Sequence, residues 1–421
     1  MQREIHTPEG MRDVYGSECR KKKMLLGRLS SVFHTFGYED IETPVIEYFD
    51  VFSREVGTIP SRELYKFFDR NGDTLALRPD FTPSIARAVS MYFHDTRTPI
   101  RLCCQGKTFI NRSSYQGRLD ESTQLGAECL GDGSAAADAE QIALGVQALQ
   151  AAGLKEFQFS IGEINYFKAL VDEAGLDEEK ELALRKRISH KNHFGVEELL
   201  DTCELPQKLR EAFRVFPQLF GGREILARAK SMTDNPAALA SVARLEEIYE
   251  VLKLYGVEQY VSFDLSMLSK YRYYTGIIFQ GFTYGVGEPI VKGGRYDHLL
   301  EHFGTAMPAV GFALVMEDLL NALDRQNIDV RLPDRKHIIV YDRERLADAL
   351  ALAAEKRAEG IHCSCIERNM QVSVTEYEEI AKKNGADISF KNRRKYGNRE
   401  KQISDICPGE RTACKVHPGD V

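Results

Sequence analysis

The chain has no tryptophan, and several features that would place it quickly in a class are also missing. Its 421 residues contain no apolar run that approaches the roughly 20 residues of a membrane-spanning helix. The formal net charge is -7, which argues against a surface built to coat nucleic acid. The first residues, MQREIHTPEGMRD, are charged and lack an apolar core, so we expect no signal peptide. These absences favour a globular cytoplasmic protein with no membrane partner.

Cysteine is present, but its pattern predicts neither disulfides nor a zinc site. The nine cysteines are an odd number scattered along the chain, which favours free thiols in a reducing compartment. The C-terminal group has the spacings C-x-C and C-x6-C-x2-H, which match no usual finger or ribbon. This group consists of Cys363, Cys365, Cys407, Cys414 and His417. We therefore expect no metal site, and nothing in the sequence indicates a cofactor.

Local patterns predict several elements in the first half of the chain. Apolar residues at helical spacing predict a helix over residues 19–36, which Gly37 ends. An Asn-Gly turn between two strand-like runs predicts a hairpin within residues 62–79. A strand-like run begins near Ile100, and residues 135–153 have the pattern of an amphipathic helix. The first half therefore mixes strands with long helices.

The rest of the chain changes its secondary-structure pattern from one stretch to the next. Helical patterns dominate from about 165 to 255, and strand patterns return between 259 and 316. We interpret the first stretch as a helical insertion in a core domain that spans residues 1–330. Beyond the polar linker LPDRK, strand and helix patterns alternate in β-α-β-α-β order, which is typical of a small α/β domain. This C-terminal domain occupies residues 331–421.

The end of the chain carries a basic cluster within KNRRKYGNREK. It could contact RNA, but only Tyr396 is available to stack on a base, so an irregular solvated tail is the better interpretation. We do not expect nucleic acid as a partner.

Four segments far apart in the sequence share one chemical character: acids, an amide and phenols, with two glycines in KGGRYD that allow close backbone approach. The side chains of interest are Asp80, Thr82, Gln124, Glu128, Tyr273 and Tyr274. Gln124 and Glu128 are four residues apart, which places both on one face of a strand. Gathered on a sheet, such groups suit a ligand with an ammonium group and a polar ring. Each also has a structural alternative, since Asp80 could cap a helix that starts near Pro83.

The order and wording of these segments resemble the histidyl-tRNA synthetase family over about residues 5–320. The segments that carry the resemblance are TPEGMRD, ETPVIEYFD, LRPDFTPSIAR, YRYYTGIIF, KGGRYDHLLEHFG and PAVGFAL. The resemblance implies an α+β, class II aminoacyl-tRNA synthetase-like fold, which is an antiparallel sheet flanked by helices. It also implies a homodimer formed through the long first helix and the following strand.

The chain departs from the synthetase pattern where that family carries arginines. The three positions are Ile110, Ser269 and Asp318. Arginines there stabilise charge on phosphate oxygens when the amino acid is activated with ATP, and an acid at position 318 would repel ATP. Arg112 lies close to the first position in sequence and could compensate there for a lost contact with the ligand's carboxylate. We expect no synthetase activity and no catalytic residue.

A synthetase-like chain without these arginines resembles the family of ATP phosphoribosyltransferase regulatory subunits. That resemblance implies a non-catalytic subunit in a hetero-oligomer with a short-form catalytic subunit, which joins ATP and phosphoribosyl pyrophosphate in the first step of histidine biosynthesis. It further implies feedback inhibition by histidine, which requires that histidine bind one state of the assembly better than another. The histidine-like pocket carried over from the synthetases comprises Asp80, Thr82, Gln124, Glu128, Tyr273 and Tyr274, with Arg112 added.

Three alternatives stay open at this point. Histidine could bind at the contact with the catalytic subunit rather than in the pocket. The chain could be a divergent histidyl-tRNA synthetase, or it could be a paralogue that binds tRNA through its basic tail.

Overall fold

The computed structural model describes residues 6–53, 59–93, 95–112, 119–268, 274–332 and 335–392. The predicted positions Ser269 and Tyr273, and the basic tail beyond residue 392, lie outside the described residues. The chain divides into two compact units, Met1–Leu332 and Pro333–Val421. No helix in the described ranges is both long enough and apolar enough to cross a membrane.

The α-helices of the described part are α1 Gly16–Thr35, α2 Asp50–Ser53, α3 Thr82–Tyr92, α4 Ala135–Ala152, α5 Ile164–Ala174, α6 Glu178–Ser189, α7 His193–Leu200, α8 Gln207–Val215, α9 Glu224–Ser231, α10 Pro236–Leu254, α11 Met316–Arg325, α12 Leu346–Ala358 and α13 Val374–Lys383. The strands are β1 Glu39–Asp40, β2 Ile46–Tyr48, β3 Lys66–Phe68, β4 Thr74–Leu77, β5 Ile100–Phe109, β6 Glu121–Leu130, β7 Phe157–Glu163, β8 Phe220–Gly221, β9 Val261–Asp264, β10 Ile277–Thr283, β11 Val291–Arg295, β12 Ala309–Val315, β13 Lys336–Tyr341, β14 His362–Glu367 and β15 Ala386–Lys391.

The first unit is built on a nine-stranded sheet in the order β1-β5-β6-β12-β11-β10-β7-β9-β8. The six strands from β5 to β7 pair antiparallel, whereas β1 joins β5 and β9 joins β7 in parallel. One face of this sheet packs against α1 and α4 in the main core, which includes Phe33 and Leu149. The other face carries a smaller core around Phe81 and Ile85 of the α3 region. The predicted class II fold, helices around a largely antiparallel sheet, is confirmed.

Helices α5 to α10 occupy the stretch that we interpret from sequence as an insertion, and their apolar side chains join the main core. A buried ion pair also connects these helices to the sheet. Asp138 of α4 is fully buried and accepts from Arg295 of β11 (Nε to Oδ1, 2.8 Å) and from Arg244 of α10 (Nη2 to Oδ2, 2.6 Å). The carboxylate is therefore shared by three elements, one of which belongs to the insertion.

A second, three-stranded sheet in the order β2-β4-β3 contains the predicted hairpin. Asp69 closes its turn, because Oδ1 accepts from the backbone N–H of Asn71 at 2.8 Å and of Asp73 at 2.9 Å. Register places Tyr48 and Phe67 opposite Leu75 on one face of this sheet. That face is apolar and open, with Tyr48 60% exposed.

The second unit holds three parallel strands in the order β14-β13-β15, which is the predicted β-α-β-α-β succession. Helix α12 covers one face, where it packs on Ile339, and α13 covers the other, where Tyr377 packs on Val340. A capping box begins α13, since Ser373 and Glu376 each accept from the other's backbone N–H.

Candidate functional site

The candidate site lies on the face of the large sheet that is turned away from α1 and α4. Along β6, Leu125 and Ala127 point into the main core, so Gln124 and Glu128 point to the opposite face. Glu128 stands opposite Gly311 of β12. A Cβ atom at Gly311 would overlap Oε2 of Glu128, so the carboxyl group can lie across β12 only because this residue is glycine.

Two hydroxyl groups donate to the Glu128 carboxylate. Thr82, the first residue of α3, donates from Oγ1 to Oε1 at 2.6 Å. Tyr296, which follows β11, donates from its phenol to Oε2. Asp80 stands at the start of α3, where its Oδ1 accepts from the Thr82 N–H at 3.3 Å. Glu128 is only 3% exposed, and within the part of the chain that the structure describes it is held by hydrogen bonds from hydroxyl groups rather than by a basic side chain.

Burial determines the charge of this acid. It raises the pKa of Glu128 to about 8, and the negative charge of Asp80 adds to the rise, while the hydrogen bonds from Thr82 and Tyr296 lower it. Burial and the neighbouring Glu128 also raise the pKa of Tyr296. Near neutral pH the free site therefore retains a proton on Glu128. A cationic ligand beside the two acids would release that proton and form an ion pair.

Tyr274 forms a wall of the same site. A Cβ atom at Gly294 would lie 2.7 Å from Cε1 of Tyr274, so the ring lies directly over the β11 backbone. Gly294 pairs with Gly311, which in turn pairs with Glu128, so the ring and the carboxylate are on one face two strands apart. The ring packs against the smaller core and is half-buried.

Gln124 extends the site along β6. Its Oε1 atom is buried and has no hydrogen-bond partner among the described residues. Gly106 of β5 stands opposite Gln124, and a Cβ atom at Gly106 would meet the Arg78 guanidinium at 2.5 Å. Arg78 is occupied structurally: it stacks on Phe81 at 4.1 Å and donates to the Thr43 carbonyl at 2.7 Å. A buried amide oxygen without a donor is rare, and here it offers an acceptor to a ligand.

The positions where the synthetase family carries arginine have a different character. Ile110 follows β5 and donates its backbone N–H to the Asp120 carbonyl at 2.8 Å. Arg112 donates from Nη1 to the Leu119 carbonyl, so its guanidinium lies against the backbone that leads into β6. Asp318 lies in the first turn of α11, where an acid is favoured by the helix dipole.

The residue before Asp318 adds a second acid at this helix start. Glu317 accepts from Lys22 Nζ of α1 at 2.5 Å and from the Thr123 backbone N–H at 2.7 Å. Asp318 therefore stands where the synthetase pattern places an arginine, while Glu317 beside it connects α11 to α1 and β6.

The structure thus brings Asp80, Thr82, Glu128 and Tyr274 together, with Gln124 further along the same face. Sequence reasoning missed Tyr296, although it lies within the quoted segment KGGRYD. Its neighbours in that segment have structural roles, because Arg295 donates from Nη1 to Asp297 Oδ1 at 3.0 Å.

Comparison with known proteins gives the class first. The sequence model of the family described as "Histidyl-tRNA synthetase" matches residues 10–319. A solved histidyl-tRNA synthetase from a Nostoc species has a TM-score of 0.76 at 20% identity, covering 90% of this chain and 90% of that one, which shows the shared fold. The chain belongs to the histidyl-tRNA synthetase family.

Relatives of higher sequence identity place the chain in one subgroup of this family. The chain is 39% identical to the ATP phosphoribosyltransferase regulatory subunit of Acetivibrio thermocellus, over 85% of each chain, and 39% identical to that of Ruminiclostridium cellulolyticum, over 84% of each. A crystal structure of an ATP phosphoribosyltransferase regulatory subunit/histidyl-tRNA synthetase from Bacillus halodurans has a TM-score of 0.83 at 32% identity, covering 93% of this chain and 99% of that one. Within its family, the chain belongs to the ATP phosphoribosyltransferase regulatory subunits, as the resemblance predicted.

Proposed function

We propose that the chain activates a short-form ATP phosphoribosyltransferase catalytic subunit and conveys feedback inhibition by histidine to it. The partner carries out the glycosyl transfer, in which ATP and phosphoribosyl pyrophosphate give phosphoribosyl-ATP. Family membership supports the regulatory part of this proposal. Asp318 supports the non-catalytic part, because an acid stands where the synthetase pattern has a phosphate-binding arginine.

The observation that carries the proposed effector is the buried acid Glu128 with the partly buried Asp80 beside it. Glu128 and Asp80 are close enough for the Asp80 charge to raise the pKa of Glu128, and among the described residues the side chains that donate to Glu128 are the hydroxyl groups of Thr82 and Tyr296. Histidine would bring an ammonium group toward the Glu128 carboxyl group and ring N–H groups toward the acceptors of the site. The Gln124 Oε1 atom is an acceptor for one such donor, and the Tyr274 ring is a flat surface for an imidazole.

The effector site that we propose keeps the sequence-derived set. It consists of Asp80, Thr82, Arg112, Gln124, Glu128, Tyr273 and Tyr274, to which Tyr296 is added. Arg112 is included for the ligand's carboxylate, although reaching it would require leaving the Leu119 carbonyl.

The role is tested by mixing. The purified chain is added to a short-form catalytic subunit, and phosphoribosyl-ATP formation is followed with and without histidine. We expect turnover to rise on mixing and histidine to reduce it. Unchanged turnover in both conditions would show that the regulatory role is wrong. The isolated chain should give no histidine-dependent exchange of pyrophosphate into ATP; exchange would establish the divergent synthetase instead.

The location of the effector is tested with a matched pair of variants. Glu128→Gln should weaken histidine inhibition and keep activation, whereas Glu121→Gln, on the same strand but paired with Lys107 at 2.7 Å, should keep both. Full histidine inhibition in Glu128→Gln would move the effector to the contact between subunits.

We also propose a homodimer within the larger assembly. The open apolar face of the β2-β4-β3 sheet supports it, because β2 is the second strand after α1 and its Ile46 and Tyr48 are 46% and 60% exposed. Tyr48→Glu should reduce the mass measured by light scattering at equal concentration. An unchanged mass would place the dimer contact elsewhere.

A cytoplasmic location completes the proposal. Every cysteine in the described ranges is a free thiol, which agrees with a reducing compartment.

A further inference from the structure

Three side chains of metal-binding type meet at the β1 edge of the large sheet, away from the effector site. His34 lies in the last turn of α1, Asp40 in β1 and Cys103 in β5. The His34 Nε2 atom is 3.1 Å from Asp40 Oδ2, and Cys103 Sγ is 3.4 Å from Asp40 Oδ1. One ligand atom from each residue lies within 4.8 Å of the other two.

The backbone holds these side chains in place. Asp40 and Cys103 are direct partners in the parallel β1–β5 pair, and the next residue, Ile41, donates its N–H to the Cys103 carbonyl at 2.8 Å. Phe33, which precedes His34, is fully buried and anchors the end of α1 in the main core. The three ligand atoms therefore converge on rigid elements rather than on loops.

The donor set selects a class of cation. A thiolate, an imidazole and a carboxylate are the ligands of Zn²⁺ and of similar borderline cations, whereas Mg²⁺ and Ca²⁺ prefer oxygen ligands alone. With metal–ligand bonds of about 2.0–2.3 Å, tetrahedral geometry separates neighbouring ligand atoms by about 3–4 Å. His34 and Cys103 approach Asp40 at 3.1 and 3.4 Å, each at a different carboxylate oxygen. With one atom from each residue the separations are at most 4.8 Å, so a small side-chain adjustment closes the set around one ion.

We propose that His34, Asp40 and Cys103 bind one Zn²⁺ or a similar borderline divalent cation, with solvent in the fourth position. His34 is 6 residues from Asp40 in sequence and Cys103 is 63 residues from it, so the site has no short spacing motif by which it could be predicted. The proposal is independent of the proposed regulatory function, because none of the three residues belongs to the effector site.

Cobalt is the probe, because Co²⁺ takes the same ligands and its thiolate bond absorbs light. The full chain, freed of metal with a chelator, is titrated with Co²⁺. We expect a saturable thiolate-to-cobalt charge-transfer band that Zn²⁺ abolishes by displacement. Cys103→Ser should remove the component of this band that saturates first, and His34→Ala and Asp40→Asn should each weaken Co²⁺ binding by at least about tenfold.

Cys104→Ser is the matched control. Cys104 is the next residue of β5 and points into the smaller core on the other face, so this variant should keep the band. His34 and Asp40 have side chains that are 46% and 64% exposed, so their variants are expected to fold, which circular dichroism checks. If wild type gives no charge-transfer band, or if Cys103→Ser and His34→Ala both retain it in full, the proposal is wrong.

Discussion

Replacement of Glu128 by glutamine isolates the effect of one buried acid on stability. Glutamine has about the size of the protonated carboxyl group. In both groups one oxygen accepts from one hydroxyl, and the N–H or O–H donor requires the other hydroxyl, of Thr82 or Tyr296, to turn and accept. Glutamine cannot ionise. The difference in the free energy of unfolding between wild type and Glu128→Gln therefore reports the ionisation of Glu128.

The sign and size of this difference follow from two pKa values. The ordinary value is 4.5, and burial raises the pKa of Glu128 to about 8 in the folded chain. Between them the folded chain keeps a proton that the unfolded chain has released, so rising pH favours unfolding. The stabilisation is fully present below about pH 4.5 and is lost as the pH rises through 8. Inside this window the free energy of unfolding falls by up to about 1.4 kcal/mol for each pH unit. The total loss between about pH 6 and 8 is about 2 kcal/mol, because the slope becomes smaller near the folded-state pKa.

The assay is urea unfolding at several pH values in the absence of histidine. Circular dichroism and tyrosine fluorescence report the transition, since the chain has no tryptophan. Between about pH 6 and 8 the free energy of unfolding of the wild type should fall by about 2 kcal/mol relative to that of Glu128→Gln. Glu121→Gln on the same strand controls for loss of a half-exposed acid. If the gap between wild type and Glu128→Gln is the same at both ends of the pH range, the raised pKa is refuted.

Three further changes test the packing around this acid and the core behind it. Gly311→Ala places a methyl group on the Glu128 carboxylate, so we expect a loss of about 1–3 kcal/mol in urea unfolding and weaker histidine binding by calorimetry; wild-type values for both would contradict the close approach. Tyr296→Phe removes one donor to Glu128, so its pKa should rise further and the pH-dependent loss of stability should move to higher pH; an unmoved profile would count against that hydrogen bond. Asp138→Asn leaves two arginines facing a neutral amide, and a loss of about 3 kcal/mol is expected in urea unfolding, whereas a loss below about 1 kcal/mol would show that the ion pair is not structural.

Element boundaries were predictable where a local cause ends them. Gly37 and Gly153 have φ angles of 80° and 102°, a conformation that favours glycine, and α1 and α4 stop just before them. The two-residue strands β1 and β8 were not predictable, because two residues carry no periodicity. The parallel pairing of β1 with β5 was not predictable either, because it depends on where the end of α1 lies relative to the sheet.

The site was predictable only in part. The spacing of Gln124 and Glu128 placed both on one strand face, and the resemblance to a known family joined them to Asp80, Thr82 and Tyr274. Tyr296 could not be found in this way, since its phenol meets Glu128 across 168 residues through the register of three strands. The three arginine losses needed no structure, because they are visible as residue identities.

The ion pair shared by Asp138, Arg244 and Arg295 limits how this fold can be cut or rearranged. The sequence pattern of α5 to α10 is that of a separate insertion. Excision of these helices would nevertheless remove Arg244 and leave the buried Asp138 and Arg295 exposed to solvent on one side. A truncated core would therefore need a new partner for that carboxylate as well as a replacement for the lost apolar packing. The insertion is better regarded as an internal part of one folding unit than as a removable module, and genetic deletions that spare it should be tolerated more readily than those that remove it.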